Sequence, residues 1–384
     1  GVTTVTSVKV GAAVTISESG IEASGIGITC ANINGTQIGG RRNIIINGAM
    51  NVAQRGTSGT GTGYKTIDRF GGQGSGTHGI TQSQDTDVPT GEGFSKSLKI
   101  DCTTANASPS ASHYLTITYR IEAQDLQQIA NGTSNAKKLT LSFYVKSPKI
   151  GNHAVGLYKP DNTQRQNTKT YSVSVANTWE KKTITFDGDT SGGGIANDNG
   201  SGIQIDWHLL AGSNYTSVDS TSWVNYSDAA WAYGHAVNVL DDTANNFYIT
   251  GVQLEVGSQA TPFEHRSFGE ELLLCQRYYQ EIGMSVNLPG TTSSSAFANL
   301  NVPIACMMRA APTIAGGITY HGWHGDNGGV NNNGTAMTVA SYATNDPQHS
   351  PALRGTISGF SLTDNRSGSV CANSGTPIKM DSEL

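Results

Sequence analysis

The sequence predicts an all-β fold, a jelly-roll-like β-sandwich with smaller β-rich pieces at either end, on three observations. Hydrophobic residues make up only 36% of the chain and charged residues 14%, both low for a globular protein. Forty-seven glycines, with abundant Ser, Thr and Asn, fill the shortfall and imply many turns. Val, Ile and Thr recur in short runs of period two, the spacing of half-buried strands. Disorder is the competing reading of such a composition, but it normally comes with high charge and few β-branched residues. At 384 residues the chain is too long for one ordinary core, so two or three domains are expected.

Residues 1–42 read as a stalk. Val8, Val10, Ala12, Val14 and Ile16 alternate, Gly20 breaks the run, and Ile21, Ala23, Ile26, Ile28 and Cys30 follow in still shorter pieces. Strands this short cannot bury a face within one chain, so neighbouring copies are expected to cover them, as in an intertwined trimer; a flexible leader is the alternative. Residues 43–266 read as the sandwich. Arg41–Gly48 suggests an apolar strand closed by an Asn-Gly turn. Tyr114–Ile121, Leu139–Lys146, Trp179–Phe186, Ile203–Trp207 and Phe247–Leu254 then alternate between Gly-, Asn- and Asp-rich turns, the pattern of a two-sheet jelly roll. One short helix, Glu122–Ile129, interrupts them.

Residues 267–283 form the connecting helix. Ser267 is its N-cap candidate, Glu270 completes a capping box, and Phe268, Leu272, Cys275 and Tyr279 make an apolar stripe. It suits a hinge or the wall of a trimer axis, or it simply packs on the sandwich. Residues 284–384 read as a β-rich tip. Its expected strands are Ser294–Val302, Cys306–Met308, Thr313–Ile314, Ala336–Tyr342 and Gly355–Leu362, with long polar loops at Tyr320–Thr335 and Tyr342–Leu353.

A net charge of −5, with basic pairs only at Arg41-Arg42, Lys137-Lys138 and Lys181-Lys182, argues against a nucleic-acid partner. No apolar run approaches the ~18 residues of a membrane helix, so no membrane insertion is expected, and residue 1 does not open a signal peptide. Beginning at Gly1, the chain is expected to be a piece of something longer. Its five cysteines (Cys30, Cys102, Cys275, Cys306, Cys371) lie far apart with no C-x-x-C. Such a set reads as buried free thiols in a protein assembled in a reducing cytoplasm.

Asn47–Gly56, Tyr64–Phe70 and Leu141–Ser147, then Gly251–Ser267 running into Glu270–Tyr279, resemble a family of tailed-phage proteins, the C-terminal regions of tail fibres, notably from marine phages. Met307–Thr313 and Asp381–Leu384 are similar too. The resemblance spans roughly residues 43–280 and implies a carbohydrate-binding-like jelly roll followed by a smaller trimeric tip. It further implies a homotrimer on a virion, beside other tail proteins, that attaches to a host cell-surface polysaccharide without being an enzyme. A structural head fibre or adaptor, and a polysaccharide depolymerase, are the alternatives.

Sugar recognition needs an exposed aromatic face with polar groups to fix hydroxyls. Tyr320, His321, Trp323, His324, Asp326 and Asn327 offer this in the tip and are the expected ligand-binding residues. Asp206, Trp207, His208, Trp223, Tyr226, Trp231, Tyr233 and His235 crowd aromatics inside the sandwich, where core packing is the competing explanation. His321-x-x-His324 with Asp326 lacks the Glu of a metalloprotease helix, so no metal and no cofactor is expected. Asp241-Asp242 and Asp187-Gly-Asp189 sit in turns that favour Asp anyway. That leaves a turn-bound calcium open but does not suggest the carboxylate pair of a glycoside hydrolase. Pro262–Arg266 is expected to tie the last sandwich strand to the helix.

Overall fold

In the computed structural model, residues 41–282, 304–313 and 377–384 are described in full; elsewhere only the backbones of short strands are described. Two six-stranded antiparallel sheets stack as a sandwich. Sheet I runs Glu180–Phe186, Leu139–Lys146, Asn246–Val256, Ser97–Thr104, Gly79–Asp85, Ser58–Thr60. Sheet II runs Val224–Asn225, Arg165–Val173, Gly151–Lys159, Ser201–Ala211, Tyr114–Glu122, Phe70–Ser75. The core between them takes Leu139, Leu141, Phe143 and Val145 from sheet I. From sheet II it takes Ile117, Tyr119, Ile203, Ile205 and Trp207.

Period-two strands should show polar residues to water on their outer faces. Here the central strands Leu139–Lys146, Asn246–Val256, Tyr114–Glu122 and Ser201–Ala211 are buried on both sides, because each sheet carries a second layer of its own chain. Across sheet I lies the segment after the last strand. Glu255 accepts from Thr261 N at 2.9 Å, and Gln253 Oε1 accepts from Glu264 N at 2.8 Å. Across sheet II lies a strap formed by residues 213–235, tied down by Thr168 N to Ser220 O and Gln166 Nε2 to Ser227 O.

The strand expected at Arg41–Gly48 is not a strand. Its backbone donors go mostly to side chains: Arg42 and Asn43 N–H to Glu264, Ile45 N–H to Asn43 Oδ1, Ile46 N–H to the Tyr119 hydroxyl, Asn47 N–H to Glu271. Only Ile44 N–H meets a strand carbonyl, Leu254 O, at 3.0 Å. Donors satisfied this way need no ladder, and Asn47 turns the chain at φ +61°.

The short early helix is a 3-10 helix, Ala123–Ile129. In that geometry residues three apart eclipse, which suits its buried Leu126 and Ile129. The α-helix spans Phe268–Gln276, and Ser267 caps it through Glu270 N. Its expected stripe holds in part: Cys275 and Tyr279 are buried, Leu272 is half-buried and Phe268 is exposed. Glu271, Cys275 and Tyr278 face inward, whereas Phe268 is 60% exposed and Tyr279 begins a strand. A partner for the buried Glu271, namely Arg266 at 3.2 Å, lets a charged residue sit on the inner face.

Tyr279–Ile282, Ile378–Asp381 and Thr313–Ala315 form a small three-stranded sheet beside the sandwich. A further six-stranded sheet follows the order Ile318–Gly325, Ser367–Gly375, Asn287–Ser294, Phe297–Pro303, Ala352–Ser358, Met337–Ala340. Cys306–Met308 is irregular rather than a strand, its carbonyl and sulfur held by Gln280 Nε2. Of the stalk, only backbone hairpins are described, such as Val14–Ser17 with Gly20–Ala23; the remaining residues of that expectation lie outside the described ones.

Candidate functional site

Three of the segments that carry the resemblance, Asn47–Gly56, Tyr64–Phe70 and Gly251–Tyr279, come together as a joint. Asn47 donates to Val52 O and Asp68 O, while its Oδ1 accepts from Val52 N. Arg266 donates to Ile45 O and pairs with Glu271. Pro262–Arg266 thus ties the entering chain to the helix, and Glu264 clasps Arg42 and Asn43 rather than the last strand alone. Asp68 is fully buried against Gln54 and Arg55; burial pushes its carboxyl up to about 6.

Residues 381–384 enter the same joint. Fully buried Arg69 pairs with Glu383 and lies over the Tyr278 ring, 3.4 Å from its centroid. Arg55 reaches Asp381 at 2.9 Å and Glu383 at 3.4 Å. Arg309 donates to Ser382 O at 2.7 Å and Arg120 to Leu384 O at 2.5 Å. Four arginines therefore hold residues 381–384, which makes this a structural clamp.

On the outer face of sheet II the strap sets the chemistry. Trp231, 9% exposed, donates its indole N–H to Asp206 at 3.0 Å, and its carbonyl accepts from Thr168 Oγ1. Asp206 also accepts from Thr118 and Gln204. Burial raises its carboxyl, and these neutral donors pull it back. Tyr114, Tyr215 and His208 pack around the indole at 4.9–5.5 Å. The centre of this face is closed to any ligand.

Beside the strap the face stays partly open. Registration places Arg120, Gln204, Tyr158 and Gln166 in one row across four strands. Arg120 Nε donates to Gln204 Oε1 at 2.8 Å, and Tyr226, 37% exposed, packs on Tyr158 at 4.9 Å. Two partly open rings beside a guanidinium can stack on a sugar's C–H face and hydrogen-bond its hydroxyls, whereas the Gln204 and Gln166 amides are buried and already bonded.

Of the sandwich residues singled out in the sequence, Trp207 is core, and Asp206, His208, Trp231 and His235 are buried under or within the strap. Trp223 is half-buried and donates to Asp187 O. Tyr233 is half-buried, and only Tyr226 stays open, packed on Tyr158 of the row just described. Tyr158, Gln204 and Arg120 were missed, because register alone brings them beside it. In the tip, Tyr320, His321, Trp323 and His324 lie on an edge strand, Ile318–Gly325, paired with Ser367–Gly375, and not in a loop. Its Ile, Thr, Tyr and Trp are strand formers that the interspersed glycines masked. Asp326 and Asn327 lie outside the described residues. The acidic turns are engaged with cations: Asp187 with Lys138, Asp189 with Arg165, Asp241 with Lys149.

No family model and no curated protein matches the chain. Among solved structures, it is similar to the enzymatically active domain of tailspike protein 4 of bacteriophage CBA120. That match has 13% identity and a TM-score of 0.30, and covers 56% of this chain and 21% of that one. It is also similar to the family 11 carbohydrate-binding module of Lic26A-Cel5E from Clostridium thermocellum, at 11% identity and TM-score 0.28, covering 55% and 98%. TmCBM61, solved with β-1,4-galactotriose, gives 8% and 0.27, covering 56% and 99%. The chain thus spans about a fifth of the tailspike chain it matches. Scores this low add nothing to what the strand order shows.

Proposed function

We propose that the protein is a non-enzymatic phage tail fibre component that adheres, as a homotrimer on the virion, to a host cell-surface polysaccharide. The observation that carries this reading is the partly open Tyr158–Tyr226 pair beside Arg120 on the outer face of sheet II. Asp68, Glu122, Asp189, Asp206 and Glu255 are each at most 2% exposed and already bonded, so none can reach a glycosidic bond. The aromatic surface left open lies beside the Arg120 guanidinium and the exposed Asp228, which accepts from the Tyr226 hydroxyl at 2.7 Å, donor and acceptor groups suited to holding a sugar's hydroxyls. Weak single sites on three copies would add up through avidity. The tip strand with Tyr320, His321, Trp323 and His324, followed by Asp326 and Asn327, is the second contact in this proposal.

The test is retention of the full chain on host cells and on their extracted polysaccharide, with reducing ends assayed in parallel. Point variants are needed, since replacing the segment from residue 320 by a flexible linker would delete an edge strand. Wild type should bind without releasing sugar. Tyr158→Ala with Tyr226→Ala, or Tyr320→Ala with Trp323→Ala, should lower retention at least tenfold while the oligomer persists. Release of reducing ends, or binding that survives both pairs together, would sink the reading.

A further inference from the structure

The helix Phe268–Gln276 carries two surfaces that no described residue covers. On one flank Phe268 is 60% and Leu273 51% exposed. A Cβ on Gly269 would meet nothing within 4 Å. Cys306 Sγ lies 3.6 Å from Leu273 O, which brings Met307, 39% exposed, alongside. Three of the seven large exposed hydrophobics among the described residues thus gather at one short helix, and that flank of the helix has no charge.

On the other flank, one residue and about 100° further round, Leu274 faces a cleft of about 240 Å³. Ile44, Ile46 and Leu274 give it apolar walls, and Arg41 and Asp125 a charged rim, with the buried side chain of Arg266 also lining it. It is smaller than the ~300–1,000 Å³ of small-molecule sites and is suited to one large side chain.

An apolar ridge and an apolar-walled cleft on opposite flanks of one helix form a heterologous pair, and such pairs close into rings when the rotation allows. We infer that a second copy of this chain docks here, its Phe268–Leu273 ridge seated in the cleft between residues 41–46 and the 3-10 helix, repeated head-to-tail around a threefold axis. This rests on the trimer reading above and supplies its contact. Arg41 beside Glu270 puts the entry of residues 1–40 next to the same helix, where chains running together along an axis would emerge.

The experiment measures the mass of the full chain by light scattering, then cross-links it. Wild type should weigh three chains and Leu273→Asp one, a threefold drop. Ile150→Asp, which alters an equally exposed residue elsewhere (59%), should leave the trimer intact. In a Cys306→Ser background, Phe268→Cys combined with Gln128→Cys at the cleft should oxidise to covalent trimers, and neither single variant should. A monomeric wild type overturns the trimer reading and this inference together. A trimeric Leu273→Asp overturns the interface alone. Covalent dimers from Phe268→Cys by itself would put ridge against ridge and overturn the head-to-tail arrangement.

Discussion

Replacing Glu383 by Gln tests the clamp most directly, since it keeps shape and removes one charge. Arg69 is fully buried and its side chain is 1% exposed, with Glu383 at 4%. Removing one partner of a buried pair strands the other charge, at about 3–5 kcal/mol. Arg69 keeps its bond to Arg120 O and its place over the Tyr278 ring, and a desolvated cation–π contact returns up to about 2 kcal/mol. Loss of the longer Arg55 contact at 3.4 Å partly cancels that relief. The expected net cost is about 2–4 kcal/mol. Urea titration at pH 7 is the assay, because an ionic denaturant would screen the interaction being measured. Arg69→Met and the double variant complete a cycle, in which the double should be milder than Glu383→Gln alone. A Glu383→Gln cost under about 0.5 kcal/mol would refute the reasoning, and the clamp would then be an accessory contact rather than part of the fold.

Two further outcomes follow from the strap. His153, His208 and His235 lie in a row with ring centroids about 6 Å apart. Burial lowers all three, His208 to about 3. The unfolded chain takes up these protons near pH 6.5, so it binds more protons than the fold below that pH, and stability should fall as pH falls. Asp68 and Asp206, both raised by burial, work in the opposite direction. The clean readout is therefore a difference: His208→Phe should flatten the dependence between pH 6.5 and 5 by about 1.4 kcal/mol per unit, and parallel curves would argue against it. Trp231→Phe leaves one Asp206 oxygen without its indole donor and should cost about 1–3 kcal/mol. Hydrogen exchange should quicken across residues 213–235, and unchanged protection there would mean the strap is held by its backbone bonds alone.

The strands legible in the sequence were those whose own alternation matched their burial. Leu139–Lys146 was placed to the residue, and Leu141 and Phe143 are core as their spacing implied. Arg41–Gly48 misled for a physical reason: Ile44, Ile45 and Ile46 look like a strand, and the side chains that replace its ladder, Glu264 and Glu271, lie more than two hundred positions away. The helix stripe held only at Cys275 and Tyr279, for a related reason. Periodicity assigns Glu271 to water, and only a tertiary partner, Arg266, lets it turn inward. The open row on sheet II was invisible because Arg120, Tyr158 and Gln204 are neighbours only through register, whereas Trp231 stood out by its bulk and turned out to be a plug.

The clamp has a consequence in time. Arg69 is translated more than three hundred residues before Glu383, and the Arg55 and Arg120 side chains wait for the same few residues. A nascent chain can pair the strands of both sheets as they emerge, yet it holds an uncompensated cation inside them until the ribosome has passed residue 383. A truncated product would carry that unneutralised charge in its interior. It should therefore stay loosely folded and accessible to proteases, so that only chains translated past residue 383 reach the packed fold.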